Sequence, residues 1–401
     1  MGHKSKQDSH MQFSLYTYAW DLAEPGAAGF AAELQSLGLN GVTLACSYHA
    51  GKFMRPHGHR GRICFPEDGT VYFRHRADRY GRLAPLRWSG IGEFDPLAEL
   101  ADKAPGLART GWVVCCHNSR LGMLHPGHVA ENCFGDRYIY SLNPAHPEVR
   151  AYVVALCRDL AEQHELDGLV LETPGWLPYA HGYHHEFAMR SVDPWLAHGL
   201  GLCFAPESLA GARAAGIDAE ALRERLARAL DGHLASGLAL DDARAAEWLQ
   251  ADFVEDPDWT AFHRWRQGVV TSLIAEIRDA LPSSTCLRVI PSVRRPTAGA
   301  WREGSDLAGL ARAGDGLEIC AYEPDAHAVA LDVHDVRRRI GDAPLSAVIR
   351  PGYPDLGQGS QTADAAALLR AAGVDGLSFY NYGHLDRPSL ARIRSAVEAF
   401  A

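Results

Sequence analysis

Nowhere in the 401 residues do about eighteen apolar side chains follow one another, so the sequence carries no signal for a membrane-spanning helix. Its nine cysteines include no Cys-x-x-Cys pair. They are odd in number and scattered through strand-like and helical stretches (Cys46, Cys115, Cys116, Cys157, Cys320), which favours buried reduced thiols over disulfides or a zinc cluster. No Gly-x-Gly-x-x-Gly follows the first strand signal and no P-loop occurs, so two common nucleotide-binding signatures are missing. Positive charge is in the minority, 39 Lys and Arg against 49 Asp and Glu for a net charge of -10. Neither nucleic acid nor an anionic membrane surface is therefore an expected partner. The first ten residues, Met1 to His10, are polar and have no apolar signal core. Residues 1–11 read as a disordered lead-in, and together with the thiols this gives the expectation of a cytoplasmic protein.

What is present is the composition of a folded chain with a large core, 47% hydrophobic and 22% charged. Phe13 to Trp20 alternates and is rich in aromatics, which predicts a strand; a helix from Ala31 to Leu37 closes at Gly38, and Asn40 to Cys46 predicts a second strand. This strand, helix, glycine, strand order is the unit of a parallel α/β sheet. It returns with strands predicted at Gly111–Cys116, Leu166–Glu172, Cys286–Ile290, Gly316–Glu323, Leu345–Arg350 and Gly376–Tyr382. Asp-Gly-Leu stands at the start of three of them, from Asp167, Asp315 and Asp375. Eight such units favour a closed (β/α)8 TIM barrel over an open doubly wound sheet. The predicted organisation is a single barrel over residues 12–401 with two elaborations. One is a long loop after the second strand, 47–94, and the other a helical insertion after the fourth, 174–259. The loop's arginines (Arg60, Arg62, Arg74, Arg76) are expected to pair with neighbouring acids.

Residues leaving the C-terminal ends of barrel strands converge on one mouth. The fourth strand ends on Glu172, followed by Thr-Pro-Gly and Trp176, and Glu172 is the first candidate for chemistry. The other strand ends offer Trp20, Tyr48, His49, His117, Asn118, Arg288, Tyr322, Arg350, Tyr353, Asn381 and Tyr382. Aromatic faces, imidazoles and amides in that company suit a polyhydroxylated ligand, a carbohydrate. Cleavage of a glycosidic bond needs two carboxyl groups. Glu323, after the sixth strand, is the expected partner of Glu172, with Asp355 and Asp21 in reserve; Glu318 lies near the start of that strand and is expected beneath the site. Which glutamate is acid and which nucleophile or base stays open.

No cofactor is expected. A divalent metal would draw on His49, His57, His59, His117, His184 or His185, as in a metal-dependent sugar isomerase or epimerase. The several carboxylates such a site needs are absent from the strand ends, so that reading, like a catalytically idle sugar-binding barrel, stands as an alternative. Association into a homo-oligomer is left open.

The run Ser141-Leu142-Asn143-Pro144-Ala145-His146-Pro147-Glu148-Val149-Arg150, a helix, and then Leu166 to Glu172 resembles glycoside-hydrolase-like TIM barrels related to the α-amylase and clan A barrels. Gly201 to Ser208 and Ala214 to Leu222 resemble them too, with Ala205 and Ser208 where relatives often carry cysteines. The resemblance implies a carbohydrate-active barrel with Glu172 in the acidic position of strand four. The chain departs from clan A in one respect: Leu171, not asparagine, precedes Glu172. The expected activity is hydrolysis of a terminal glycosidic bond in a small glycoside or oligosaccharide, because the long loops would narrow the mouth to a pocket.

Overall fold

The computed structural model describes residues 11–401 apart from 59, 60, 182 and 184. The lead-in up to His10, together with His59, Arg60 and His184, lies outside the described residues. Eight parallel strands close into a barrel: β1 (Gln12–Thr17), β2 (Gly41–Tyr48), β3 (Ala108–Val114), β4 (Gly168–Glu172), β5 (Cys286–Val289), β6 (Leu317–Cys320), β7 (Leu345–Ile349) and β8 (Gly376–Phe379). Each pairs with the next, and β1 pairs with both β2 and β8, which completes the ring. Helices follow the strands on the outside, as the predicted (β/α)8 order requires.

Period-two alternation sorts the side chains. Leu169 and Leu171 of β4, Leu317 and Ile319 of β6, and Leu345, Ala347 and Ile349 of β7 pack outward into one apolar layer beneath the helices. Their neighbours Val170, Cys320 and Val348 fill the bore with Tyr16, Trp112 and Ala45. The lower bore is polar. Tyr16 donates to Glu318 at 2.5 Å, Arg288 reaches Ser346, and Ser14 meets Thr43 at 2.8 Å.

The recurrent Asp-Gly-Leu has a structural reason. Asp167, Asp315 and Asp375 each accept a hydrogen bond of 2.8 Å from a backbone N–H at the start of the neighbouring strand, those of Arg109, Leu287 and Leu345. Each aspartate's own N–H donates back to the carbonyl of the same residue, at 3.0, 2.7 and 2.8 Å. The pair of bonds clamps the register at the foot of three strand pairs.

Several strands end earlier than predicted. β1 stops at Thr17 because Ala19–Ala23 turns into a short helix, β6 stops at Cys320, and β8 stops at Phe379. In the 47–94 stretch, Thr70–Val71 folds back antiparallel onto the end of β2, and Phe53–Met54 pairs with Ile63–Cys64. Its arginines are engaged: Arg74 with Glu93, Arg76 with Asp159 and Glu162, and Arg62 with the Pro56 carbonyl. Among the described residues, five helices lie between β4 and β5: Pro194–Leu200, Pro206–Ala214, Ala219–Ser236, Asp242–Glu255 and Pro257–Ala280. They enclose an apolar cluster of their own around Trp195, Phe204, Leu226, Trp259 and Phe262. The nine cysteines are all free.

The exit from β4 is fixed by a close backbone approach. Trp176 N–H donates to the Glu303 carbonyl at 3.1 Å, and a Cβ on Gly175 would stand 2.0 Å from that same oxygen. Gly175→Ala must therefore push the loop beyond Glu172 off the 297–304 segment. The expected cost is about 2 kcal/mol or more in chemical denaturation; an unchanged midpoint would contradict the packing described.

Candidate active site

A cavity of about 900 Å³ opens at the C-terminal end of the barrel. Tyr16, Trp112 and Tyr380 form its aromatic base, and Glu172 projects into it from the last residue of β4. The carboxyl is buried and accepts one side-chain hydrogen bond, 2.7 Å from the Trp112 indole N–H. Burial pushes its pKa up to about 7, and the Trp112 donor pulls it part of the way back. Trp112 can make this bond because Val170 sits opposite it in the β3–β4 register and Glu172 lies one inward position higher.

The backbone around Glu172 is strained and held. Thr173, directly after it, adopts φ 52, a left-handed conformation that costs a β-branched residue on the order of 1–3 kcal/mol. Cys115 N–H donates to the Glu172 carbonyl at 2.9 Å, and Cys116 N–H to that of Thr173 at 3.0 Å. These bonds and the Gly175–Glu303 approach fix the carboxyl's direction.

One wall of the cavity is a column of imidazoles. His49 stacks on His117 with centroids 4.3 Å apart, and His181 meets His117 edge-on at 5.0 Å. Burial, then the neighbouring His49 and His181, push His117 down to about 2, and burial takes His181 to about 4. His117 and His181 are therefore neutral near pH 7, and a neutral imidazole nitrogen can donate to or accept from a hydroxyl. Asp68 joins this wall, with its oxygens accepting from the N–H groups of Ala50 (3.1 Å), Ser119 (2.7 Å) and Arg120 (3.3 Å). The cavity is also lined by Arg294, Arg295, Tyr322 and Arg350. The Arg350 guanidinium lies 4.1 Å from the Tyr322 ring centroid. Arg350 and Arg295 share Asp355, at 2.5 and 3.0 Å.

Of the residues expected from the sequence, the structure brings Tyr48, His49, His117, Glu172, Tyr322 and Arg350 to the cavity wall. The others take places elsewhere. Glu323 is not among the lining residues; it lies in the electrostatic neighbourhood of Asp332, Arg295 and Asp355, and burial raises its pKa. Trp20 stacks on Tyr18 at 4.6 Å. Asn118 caps the helix Ser119–Leu124 through Leu121 N–H at 2.8 Å. Trp176 is buried and donates to Asn143 at 3.1 Å. Arg288 belongs to the lower bore and lines a separate cavity at the foot of the barrel. Tyr353 is 94% exposed. Asn381 is buried and bonds Gly383 N–H at 3.1 Å, and Tyr382 donates to Glu33 at 2.7 Å. Asp21 is bound by Arg55 at 2.6 Å. The sequence reading missed Trp112, Tyr16, Tyr380, Asp68, His181 and Arg294. It also missed Glu303, a buried acid held near 7 chiefly by burial and bonded by Ser292 at 2.5 Å. Among the described residues, no three of His, Cys, Asp and Glu come together as a metal site.

The buried acid has a thermodynamic signature. The folded chain keeps on Glu172 a proton that the unfolded chain releases above about pH 4.5, so stability falls with rising pH until the folded acid ionises near pH 7. Glu172→Gln removes that loss. Between about pH 5 and pH 8 the variant should gain roughly 2–3 kcal/mol on the wild type. Paired denaturation curves measure this, and a gap independent of pH would mean that the carboxyl is solvated.

No protein-family model matches the sequence, and no curated protein matches it either. Solved structures match in fold. The PgaB (BpsB) glycoside hydrolase domain from Bordetella bronchiseptica superposes with a TM-score of 0.58 at 15% identity, over 96% of this chain and 98% of that one. The catalytic domain of β-amylase from Paenibacillus polymyxa gives 0.57 at 11% identity, over 94% of each chain. α-L-fucosidase isoenzyme 2 from Paenibacillus thiaminolyticus gives 0.51 at 12%, over 97% of this chain and 49% of that one. The chain thus has the closed parallel barrel found in these glycoside hydrolases.

Proposed function

We propose that this barrel is a glycosidase that hydrolyses a terminal glycosidic bond, with Glu172 as the proton donor to the leaving oxygen. The observation that carries this reading is a carboxyl held near pKa 7 inside an aromatic cavity at the barrel mouth. A general acid needs a proton to give at neutral pH, and burial supplies that condition. The aromatic base of Tyr16, Trp112 and Tyr380 suits the apolar face of a sugar ring, and the neutral His117 and His181 suit its hydroxyls. A likeness in fold to glycoside hydrolases supports the reading without naming a substrate.

The second carboxyl role has two claimants. Asp68 is on the cavity wall and Glu323 is outside it, so Asp68 is the better placed to receive or activate water.

The test compares aryl glycosides of poor and good leaving groups. With a poor leaving group, Glu172→Gln should lose about 10²–10⁴-fold in kcat/KM. With a dinitrophenyl leaving group, which needs no protonation, the loss should be much smaller. Wild-type kcat/KM should fall as pH rises through about 7, because the acid is useful only while protonated. Equal losses on both substrates would remove Glu172 from the acid role. Asp68→Asn and Glu323→Gln, assayed together, decide the second role by which of them abolishes turnover.

A further inference from the structure

Arg294 occupies a particular position: it lines both the main cavity and a side chamber of about 150 Å³. Arg302 lines the same chamber. Neither guanidinium takes part in a hydrogen bond or ion pair among the described residues; Arg302 only lies over the Trp301 ring, 4.6 Å from its centroid. The other cations of the cavity are satisfied, since Arg295 and Arg350 share Asp355.

Among the described residues no acid forms an ion pair with Arg294 or Arg302. Arg266, fully buried nearby, sends one nitrogen to the Arg302 carbonyl at 2.9 Å and leaves its Nε and Nη1 without partners. After burial, the charge of Arg294 is what depresses the pKa of Arg302, and His198 on the chamber wall is depressed by burial, then by His263 and by all three arginines. The acid that responds to this group is Glu303; it makes no ion pair with them and is bound instead by Ser292. Half-buried guanidiniums left unpaired are costly, and in a chain with ten more acids than bases carboxylate partners are plentiful. An unpaired arginine facing a cavity fits an anion that arrives with the ligand.

We propose that Arg294, with Arg302 behind it, receives an oxyanion substituent of the substrate, a carboxylate or a sulfate on the sugar, so that the cavity takes an anionic glycan. The inference rests on the reading of the cavity as a sugar site, but not on hydrolysis. The 47–94 loop does not supply this site, because its described arginines Arg62, Arg74 and Arg76 are engaged elsewhere. The anion site comes from the segment after β5.

Calorimetric titration tests it with glucuronate, galacturonate and O-sulfated N-acetylglucosamine against glucose, galactose and N-acetylglucosamine. At least one anionic sugar should bind about tenfold tighter than its neutral parent, with the preference shrinking as salt is raised. Arg294→Gln should abolish the preference, while Arg74→Gln, on the surface beside Glu93, should keep it. A response to the uronates or to the sulfated sugar identifies the oxyanion. An absence of any anion preference across the panel, or a preference that survives Arg294→Gln, overturns the inference. Preference without turnover on any glycoside keeps it and removes the hydrolase reading; turnover indifferent to charge does the reverse.

Discussion

The burial of one carboxyl against one indole is the constraint on which the rest of this site depends. Glu172 has a single side-chain donor, Trp112, where an ionised carboxylate would ask for several. The protein supplies too few donors for the charged form, so the neutral form persists to about pH 7. That balance is sensitive to small movements, because a water beside the carboxyl would solvate the anion. Hence the surrounding backbone is fixed from three directions: by Cys115 and Cys116 just after β3, by the left-handed Thr173, and by the contact of Gly175 with Glu303. The strain at Thr173 is tolerated because those bonds leave the chain no other path.

Beneath the site the bore is divided into layers, and this division keeps the base of the cavity rigid. Tyr16 lines the cavity yet points its hydroxyl down to Glu318, so the ring's orientation is set from below. Burial raises the pKa of Glu318, and the Tyr16 hydroxyl, Arg288, Ser378 and Ser346 oppose that rise. Two inward glutamates therefore differ in role through their height in the barrel: the lower one anchors an aromatic, and the upper one faces the cavity.

The same period-two geometry explains what could be read from the sequence and what could not. The eight strands were legible because their apolar residues are short buried runs, and three carry an Asp-Gly start with a bonding reason of its own. Glu172 was legible because it ends such a run. Trp112 was not, since a tryptophan in mid-strand reads as core, and only the β3–β4 register brings its N–H to a carboxyl. Strand ends that fall three residues early change which side chains face in. β8 stops at Phe379, so Tyr380 lines the cavity while Asn381 and Tyr382 turn into the loop's packing. β6 stops at Cys320, and the inward series Glu318, Cys320, Tyr322 passes over Glu323. Asp68 and Arg294 lie on loops, where periodicity gives no signal at all.

The cationic side of the cavity and its neutral acid are compatible only because they are kept apart. A guanidinium beside Glu172 would favour the carboxylate and remove the proton the site holds. No arginine is among the causes of its shift, which are burial and Trp112. Glu303, by contrast, is raised by burial to about 7, and Ser292, Arg294 and Arg266 pull it only part of the way back. The cavity thus keeps its arginines apart from the carboxyl that holds its proton. An anionic ligand spanning both would neutralise the arginines at one end and, by bringing negative charge into a low-dielectric space, would strengthen the hold of Glu172 on its proton at the other.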